Sequence, residues 1–474
     1  MIQVCSVSAV LLCFLFIYVL LKSPDELSAY ELDQRSQKVG SGPTEFKIYN
    51  NKVYVSVPSN GAYVIPQADA QSMANIPVNA KNSQSVYAIR QLAMDKNHVY
   101  CGNIILRDIH PQKVRSIGDG YITDGKITYF CSQGTERNDQ LNPVQEVWQI
   151  ILYNFGMGAK PQSYLYPFFK LDAGEKPYVL IRDGIVSNGE KTYLRGKLIA
   201  EAQGGSLRYL QSFSGSSDEL YDSTRYTADG RHVYYQNQII SIQDEPELLT
   251  FGFDSSMESE FLYDPQKKNF YYHQYKFPEK NAPYKILNKT SEHAHDPLFI
   301  SPKGIWFYNR DDEELQKVGK NPFLSKFVQL VPDVYHNGID TFYMGSYDKV
   351  IRSRQGYKTC YRSTVLYRLK NVPVNQWRKI GDVRYGGGTW SSGTIWKNGN
   401  QYYYFDEFGQ GQGLNQSVYL IKDAVALQII MNPTQSTDDI RGYRHNGTFI
   451  EPKADKAVKA KYDQRFCLFE FLSD

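Results

Sequence analysis

The chain has 474 residues, with 53 basic and 50 acidic side chains and a formal net charge of +3. This balance, without a long basic run, argues against a nucleic-acid-binding protein. Hydrophobic residues make up 42% of the chain and aromatic residues 14%, including 38 tyrosines. The chain can therefore bury a large core, and its tyrosine content favours short β-strands.

The N-terminus is apolar. Residues 2–21 carry no charged side chain, and a helix of ~20 residues spans a bilayer. A cleaved secretory signal is the alternative, but no charged side chain precedes the stretch and Lys22-Ser23-Pro24 does not resemble a cleavage site. We therefore predict a transmembrane signal-anchor over residues 1–22, which meets the membrane through residues 2–21.

The next segment is predicted to be a juxtamembrane linker over residues 23–45. It is polar and ends in Gly40-Ser41-Gly42-Pro43, a composition typical of flexible connections. A single domain of repeated β-hairpins is predicted to fill the rest of the chain, residues 46–474.

One pattern recurs through that domain, most clearly as Asp229-Gly230-Arg231-His232-Val233-Tyr234-Tyr235. The Asp-Gly pair favours a tight turn, and the β-branched and aromatic residues after it favour a strand. Further copies begin at Asp95, Asp124, Asn188, Asp264, Pro302, Asn337, Asn398 and Asn446.

Most neighbouring turns are roughly 35–45 residues apart, a period typical of propellers and related β-arrays. The two longest intervals, 124–188 and 337–398, suggest diverged copies near residues 164–166 and 365–367. The predicted fold class is all-β: a β-propeller-like domain of repeated β-hairpins with about six to eight blades. An open array of stacked hairpins is the alternative.

The copies that begin at Asp95-Lys96-Asn97-His98-Val99-Tyr100 and at Asp229 resemble the DKNYY family of bacterial repeat proteins. The resemblance extends over roughly residues 90–350. It implies a repeated β architecture in the cell envelope, and it supplies no catalytic residues.

Three stretches interrupt or end the pattern. Residues 144–153 are compatible with either a helix or a buried strand. A short helix is predicted near Pro452–Tyr462. A final strand at residues 465–472 is predicted to pair with the first strands, near Phe46–Val57, and so to close the array.

Four cysteines lie outside the apolar N-terminus: Cys101, Cys131, Cys360 and Cys467. Cys101 and Cys131 follow the hairpin aromatic residue in consecutive copies, so they are candidates for a disulfide, with Cys360 and Cys467 as the second pair. Four buried free thiols are the alternative.

No motif predicts a catalytic, cofactor-binding or metal-binding residue, and no cofactor is predicted. His293-Ala294-His295-Asp296 is compatible with a metal site but is more typical of a solvated loop. His98 and His232 occupy equivalent places in two copies, which indicates a structural role. The acidic runs 311–314 and 438–439 are predicted to be surface loops, as are the glycine clusters 386–388 and 409–413.

The sequence thus favours a membrane-anchored binding or scaffold protein without catalytic activity, with a protein or glycan partner. The expected location is the bacterial inner membrane, crossed once, with the large domain in the periplasm. A propeller-type polysaccharide hydrolase or lyase is one alternative, and it requires a deep pocket with convergent acidic or tyrosine side chains. A protective partner against a toxin is another.

Overall fold

The computed structural model describes residues 29–78, 89–202, 206–214, 219–253, 260–289, 291–353 and 356–463. Within these ranges the protein is built mainly from antiparallel β-sheets, so the all-β prediction is confirmed. The α-helices in these ranges are short: α1 (Ala29–Arg35), α2 (Pro143–Asn154), α3 (Ala424–Ile430) and α4 (Thr437–His445). The chain divides into two compact units: unit 1 extends to Arg208 and includes Gln236–Ile239, and unit 2 comprises Tyr209–Tyr235 and the residues from Ile240 onward.

Unit 1 contains four-stranded sheets that follow one another along the chain. Sheet A consists of β1 (Gln37–Lys38), β2 (Phe46–Tyr49), β3 (Lys52–Val57) and β4 (Gly61–Val64), and sheet B of β5 (Ala74–Asn75), β6 (Leu92–Met94), β7 (Val99–Cys101) and β8 (Ile104–Leu106). Sheet C begins with β9 (Arg115–Gly118), β10 (Tyr121–Thr123) and β11 (Thr128–Cys131). It is interrupted by an insertion, residues 132–167, that contains β12 (Glu136–Arg137), α2 and β13 (Tyr164–Leu165), and it is completed by β14 (Phe168–Lys170). Sheet D consists of β15 (Val179–Arg182), β16 (Ile185–Ser187), β17 (Thr192–Leu194) and β18 (Lys197–Ile199).

Unit 2 continues the same design with larger sheets. Sheet E consists of β19 (Arg208–Ser214), β20 (Leu220–Ala228), β21 (His232–Tyr235), β22 (Gln238–Gln243), β23 (Leu249–Gly252), β24 (Glu260–Asp264), β25 (Asn269–Tyr272) and β26 (Tyr275–Lys276). It comprises two meanders joined by the parallel pairing of their first strands, β19 and β23. Sheet F consists of β27 (Lys285–Ile286), β28 (Phe299–Ser301), β29 (Gly304–Asn309) and β30 (Glu314–Gly319).

The last two sheets have five strands each. Sheet G contains β31 (Val328–Val331), β32 (Val334–His336), β33 (Thr341–Ser353) and β34 (Gly356–Leu369), and sheet H contains β35 (Arg378–Tyr385), β36 (Trp390–Asn398), β37 (Gln401–Asp406), β38 (Val418–Ile421) and β39 (Phe449–Ile450). The fifth strand of sheet G, β40 (Ala454–Asp463), pairs with β34. The long hairpin β33–β34 therefore has a second partner late in the chain.

The copies of the repeated motif occupy equivalent positions in the structure. The turns at Asp95, Asp124, Asn188, Asp229 and Asp264 each join the second and third strands of a four-stranded meander. In the first of these turns, Asp95 Oδ1 accepts hydrogen bonds from the backbone N–H of Asn97 at 2.7 Å and of His98 at 2.6 Å. Equivalent pairs of bonds hold the turns at Asp124, Asn188, Asp229, Asp264 and Asn337.

The tyrosine of the motif completes the turn. Tyr100 donates its hydroxyl to Asp95 Oδ2 at 2.7 Å, and Tyr234 donates to Asp229 Oδ2 at 2.8 Å. Both tyrosines are fully buried. The motif is therefore a self-contained turn that positions an aromatic side chain in the core.

In the described residues, the two long intervals between motifs hold no additional four-stranded meander, so the prediction of diverged copies there is wrong. Tyr164 and Leu165 form β13, which pairs with β12 inside the insertion. Residues 365–367 lie in β34, whose neighbours are β33 and β40. Insertion and strand lengthening, rather than hidden repeats, account for the two intervals.

The C-terminal prediction also differs from the structure. The helix expected near Pro452–Tyr462 is the strand β40, in which Val458 and Ala460 are buried and the intervening Lys459 is exposed. This alternation matches the period of a strand, and pairing with β34 outweighs the helix propensity of the Ala and Lys residues.

Strand pairing at the start of the fold likewise differs from the expectation. β2 lies between β1 and β3, and β3 lies between β2 and β4. The strands near Phe46–Val57 therefore have partners on both edges, and the expected pairing with a C-terminal strand is not available to them. The predicted strand at residues 465–472 itself lies outside the described residues.

The predicted linker overlaps the fold. α1 and β1 fall within residues 23–45, Leu32 of α1 is fully buried, and β1 pairs with β2. The predicted membrane span, residues 2–21, lies outside the described residues. In the part of the chain that is described, no helix is long and apolar enough to cross a membrane.

Candidate functional site

A cavity in unit 1 lies between sheets C and D. It has a volume of about 400 Å³, within the size range of small-molecule sites. Its lining consists of Asp119, Phe130, Ser132, Gln133, Gly134, Asp183, Gly184 and Arg195. Two carboxylates, a guanidinium, a hydroxyl, an amide and one aromatic ring thus share one space.

Three tight turns supply the charged side chains of this cavity. Asp119-Gly120 joins β9 to β10, Asp183-Gly184 joins β15 to β16, and Arg195-Gly196 joins β17 to β18. Asp119 and Arg195 have φ angles of 49° and 48°, and the glycine after each also has a positive φ. Two consecutive positive φ angles are typical of the tight turns that join antiparallel strands.

Hydrogen bonds fix these turns against each other. Asp119 Oδ2 accepts a bond from the Gly184 N–H at 2.8 Å. The Tyr121 hydroxyl donates to the Gly184 carbonyl at 3.0 Å and accepts from the Gly196 N–H at 2.8 Å. The cavity walls therefore belong to an ordered framework, and one oxygen of Asp119 is engaged in it.

The cavity lies at the end of sheets C and D opposite to the repeated motif. In a meander the first and third turns are at one end and the second turn is at the other. The cavity is lined by the first turn of sheet C and by the first and third turns of sheet D. The motif, in contrast, forms the second turn of each of these sheets. The turn residues of the motif thus do not line the cavity, although Phe130, which occupies the motif position of Tyr235, does.

A disulfide lies beside the cavity. Cys131, which follows the lining residue Phe130, is bonded to Cys101, with their Cα atoms 6.0 Å apart. The two cysteines belong to the third strands of the adjacent sheets B and C. The predicted pairing of Cys101 with Cys131 is confirmed, and Cys360 is also disulfide-bonded.

The histidine cluster of unit 2 is buried, so the prediction of a solvated loop is wrong. The His293 side chain is 1% exposed and lies between two buried carboxylates. Its Nδ1 is 2.9 Å from Asp333 Oδ2 and its Nε2 is 2.7 Å from Asp406 Oδ2. Asp296, three residues on, accepts bonds from both Arg310 and Arg362 at 3.1 Å.

The charge of His293 is set by its two partners. Burial lowers the pKa of the imidazole, but the hydrogen bonds with Asp333 and Asp406 outweigh burial and raise the pKa to about 9. His293 is therefore a cation at neutral pH. Because the three side chains are buried, this arrangement ties sheets F, G and H together and does not present a group to a substrate.

Glycine 409, in a cluster predicted to be a surface loop, is part of the same arrangement. Its N–H donates to Asp406 Oδ2 at 2.9 Å. A Cβ atom at this position would lie 2.9 Å from the Glu292 carbonyl oxygen, and φ is +82°. Only glycine fits this approach without a backbone shift.

The remaining candidates have structural roles. His98 and His232 make the same edge-on contact with Tyr100 and Tyr234, which agrees with the predicted repeated position. Residues 311–313 form the turn between β29 and β30. The prediction of a surface loop at residues 438–439 is wrong, because both aspartates lie in the first turn of α4, where Asp439 and the N-cap residue Ser436 form a capping box. Among the described residues, no group of three or more His, Cys, Asp or Glu side chains is suited to hold a metal ion.

Sequence reasoning missed the cavity residues Asp119, Asp183 and Arg195. Each of them precedes a glycine, and this second series of turn dipeptides, offset from the repeated motif, was the available signal. The dipeptides predict turns, but their convergence on one cavity depends on how sheets C and D pack.

Comparison with known proteins supports one family. The DKNYY family model matches residues 46–238, which confirms the resemblance over that part of the chain. No match was found among curated proteins.

Proposed function

We propose, from the DKNYY-family match over residues 46–238, that this chain is a membrane-anchored binding or scaffold protein of the bacterial cell envelope without catalytic activity. Residues 2–21 anchor it as a single span in the inner membrane. The repeated β-sheets lie in the periplasm and bind a protein or a glycan.

The observation that carries this proposal is the structural use of the repeated residues. Asp95 and Asp229 are occupied by turn N–H groups and by the hydroxyls of Tyr100 and Tyr234. The buried His293 is likewise occupied by two carboxylates. The conspicuous polar groups therefore stabilise the fold, as expected of a protein that acts through its surface.

We also propose that the sheets are arranged like the blades of a propeller. Propeller blades are four-stranded antiparallel sheets built from consecutive strands, and sheets A, B, D and F have this form. The parallel pairing of β19 with β23, the first strands of two successive meanders, agrees with blades that present equivalent strands side by side.

Export is supported by the disulfide. Disulfides such as Cys101–Cys131 persist in oxidising compartments, including the periplasm, and are rare in the bacterial cytoplasm. Together with the charge-free stretch at residues 2–21, this favours a domain held outside the inner membrane.

The experiment that tests the proposal is in-cell crosslinking of the tagged full-length chain, followed by mass spectrometry of the proteins and glycans that co-purify. We expect one dominant partner in stoichiometric amount. A toxin as that partner would assign the protective role. A membrane-located chain that captures no partner would contradict the binding proposal.

One observation favours the polysaccharide hydrolase or lyase as a second candidate. The cavity in unit 1 holds Asp119 and Asp183 together with Arg195 and Phe130, and paired carboxylates are the usual catalytic groups of glycoside hydrolysis. Purified protein and its Asp183→Asn variant would be incubated with envelope polysaccharide. Cleavage by the parent protein that is lost in the variant supports the enzyme, and binding without cleavage by either supports the first candidate.

A further inference from the structure

The helix α2 in the insertion of sheet C has an unusual surface. One apolar stripe, here called the α2 stripe, is formed at positions i, i+3, i+4, i+7 and i+11 by Val144, Val147, Trp148, Ile151 and Phe155. Such a stripe normally faces a core. Here Val144 is 79% exposed, Trp148 60% and Phe155 55%.

The surroundings of the stripe extend its apolar character. Met157, two residues after Phe155, is 68% exposed. The stripe contains no charged side chain, and the acidic residue of the helix, Glu146, is paired with Arg137 at 2.9 Å. A contiguous exposed apolar surface of this kind marks an interaction site.

The insertion is held firmly on sheet A. The Tyr63 hydroxyl donates to the Pro161 carbonyl at 2.6 Å, and Lys160 donates to the Ala62 carbonyl at 2.9 Å. The Tyr166 hydroxyl reaches the Ser56 carbonyl at 3.1 Å. The helix is therefore presented on a fixed support rather than on a free loop.

The same sheet carries the start of the described chain. α1 contacts β2 of sheet A, where Asp33 pairs with Lys47. Only residues 22–28 separate α1 from the predicted membrane span, and seven residues reach at most about 25 Å. Because a four-stranded sheet is only about 15 Å wide, the tether and the insertion are attached to neighbouring parts of one small sheet.

We infer that the α2 stripe lies in the membrane interface, where Trp148 and Phe155 enter the boundary between headgroups and acyl chains. The inference rests on the membrane anchor of the proposed function. Tryptophan prefers this boundary, and a helix with an apolar face lies in its plane. The span and α2 then hold unit 1 at two points and fix its orientation on the bilayer.

The chemistry of the stripe predicts its lipid dependence. Interfacial helices that select anionic lipids carry Lys and Arg on the polar face. In α2 the polar face carries Gln145, Glu146 and Gln149. Insertion is therefore driven by apolar contact, and it is independent of anionic lipid content.

The test uses the full-length protein in nanodiscs of phosphatidylcholine brominated on its acyl chains, which quench nearby tryptophans. We expect quenching of roughly one-fifth of the fluorescence, since Trp148 is one of five tryptophans. Trp148→Phe should abolish the quenching. Trp390→Phe, which removes a tryptophan that is 62% exposed, should retain the quenching, which becomes roughly one-quarter of the fluorescence of the four remaining tryptophans. Addition of phosphatidylglycerol should not change it.

Different outcomes would contradict the membrane anchor and the position of the α2 stripe. A protein that does not incorporate into nanodiscs overturns the anchor and the inference with it. A protein that incorporates without quenching at Trp148 overturns the inference alone. If, in addition, Trp148→Glu converts a dimer into a monomer, the stripe is an interface with a second copy of the chain.

Discussion

Among single residues, the aspartates of the repeat explain why the motif persists along the chain. The Asp95 carboxylate is buried and accepts bonds from the N–H groups of Asp69, Asn97 and His98 and from the Tyr100 hydroxyl. Burial raises the pKa of this carboxyl, but the hydrogen bonds outweigh it and the pKa is lowered. The ionised carboxylate therefore stabilises the turn.

Replacing Asp95 by alanine should lower the free energy of unfolding by roughly 2–4 kcal/mol, because buried donors lose a charged acceptor. Asp95→Asn should cost less, since Asn188 and Asn337 hold the same turn with an amide oxygen. Urea unfolding of the full-length protein in detergent measures the loss of unfolding free energy in both variants. Asp139→Ala, at an exposed turn, is the control, and equal midpoints for the Asp95→Ala and Asp139→Ala variants would contradict the role of Asp95.

His293 should make stability depend on pH in the alkaline range. Its folded pKa of about 9 lies above the ordinary value of 6.5. The contribution of protonated His293 to the free energy of unfolding is therefore complete below pH 6.5. It is lost as pH rises through 9, which lowers the free energy of unfolding by roughly 2–4 kcal/mol. Thermal unfolding of the wild type from pH 6 to pH 10 measures this loss.

Two variants complete the test of His293. His293→Gln should be less stable than the wild type at pH 6 by roughly 3–5 kcal/mol, because two buried carboxylates lose their cation. Its stability should also change less with pH. His110→Gln, at an exposed site, should keep the wild-type profile. A His293→Gln profile that runs parallel to the wild type would show that another group titrates.

The sequence indicates residue roles only where partners are close along the chain. Asp229 and Tyr234 are five residues apart, and the turn and strand were predicted from their pattern. The carboxylates that surround His293 are 40 and 113 residues away from it, so the burial of this histidine follows only from how sheets F, G and H pack.

At the scale of secondary-structure elements, the Cys101–Cys131 disulfide joins the third strands of sheets B and C. It closes a sequence separation of 30 residues. Replacing both cysteines by serine should lower the free energy of unfolding by about 3–4 kcal/mol, the loop-entropy value for this separation. The double variant isolates this bond, whereas a reductant would also affect Cys360. An unchanged urea midpoint would contradict the prediction.

Strand β40 offers a matched pair of substitutions. Val458 is buried in the cluster with Leu298, Ile305 and Leu366, and the next residue, Lys459, is exposed. Val458→Gln should cost roughly 2–4 kcal/mol, because it buries an amide in an apolar core, whereas Lys459→Gln should change stability by less than about 0.5 kcal/mol. Equal effects of the two substitutions on thermal unfolding would contradict the strand assignment.

Element prediction from this sequence succeeded for hairpins and failed where tertiary contacts decide. Tight turns and β-branched strands have local signals, so β20–β21 and β36–β37 were predicted. Residues 454–463 are rich in Ala and Lys, which favour a helix when isolated, but β34 offers an open edge for pairing. The sequence does not distinguish helix from strand for α2, because its short apolar run fits both a helix and a buried strand.

At the scale of the whole molecule, the proposed function requires an exported array of β-sheets that is tethered to the inner membrane. The DKNYY match covers residues 46–238, and the same meander design continues through unit 2. The period of the motif predicted repeated hairpins, while the cavity between sheets C and D could not be predicted. It forms from turns whose sequences, such as Asp183-Gly184, have no feature that marks a shared site.

The central claim, that the sheets work in the envelope, is tested most directly by the state of Cys101 and Cys131 in intact cells. Thiols would be trapped with a membrane-permeant alkylating agent, and the membrane fraction would be analysed by peptide mass spectrometry. We predict a disulfide-linked Cys101–Cys131 peptide that is absent after prior reduction. Two alkylated thiols in the native chain would place the domain in a reducing compartment and contradict the account.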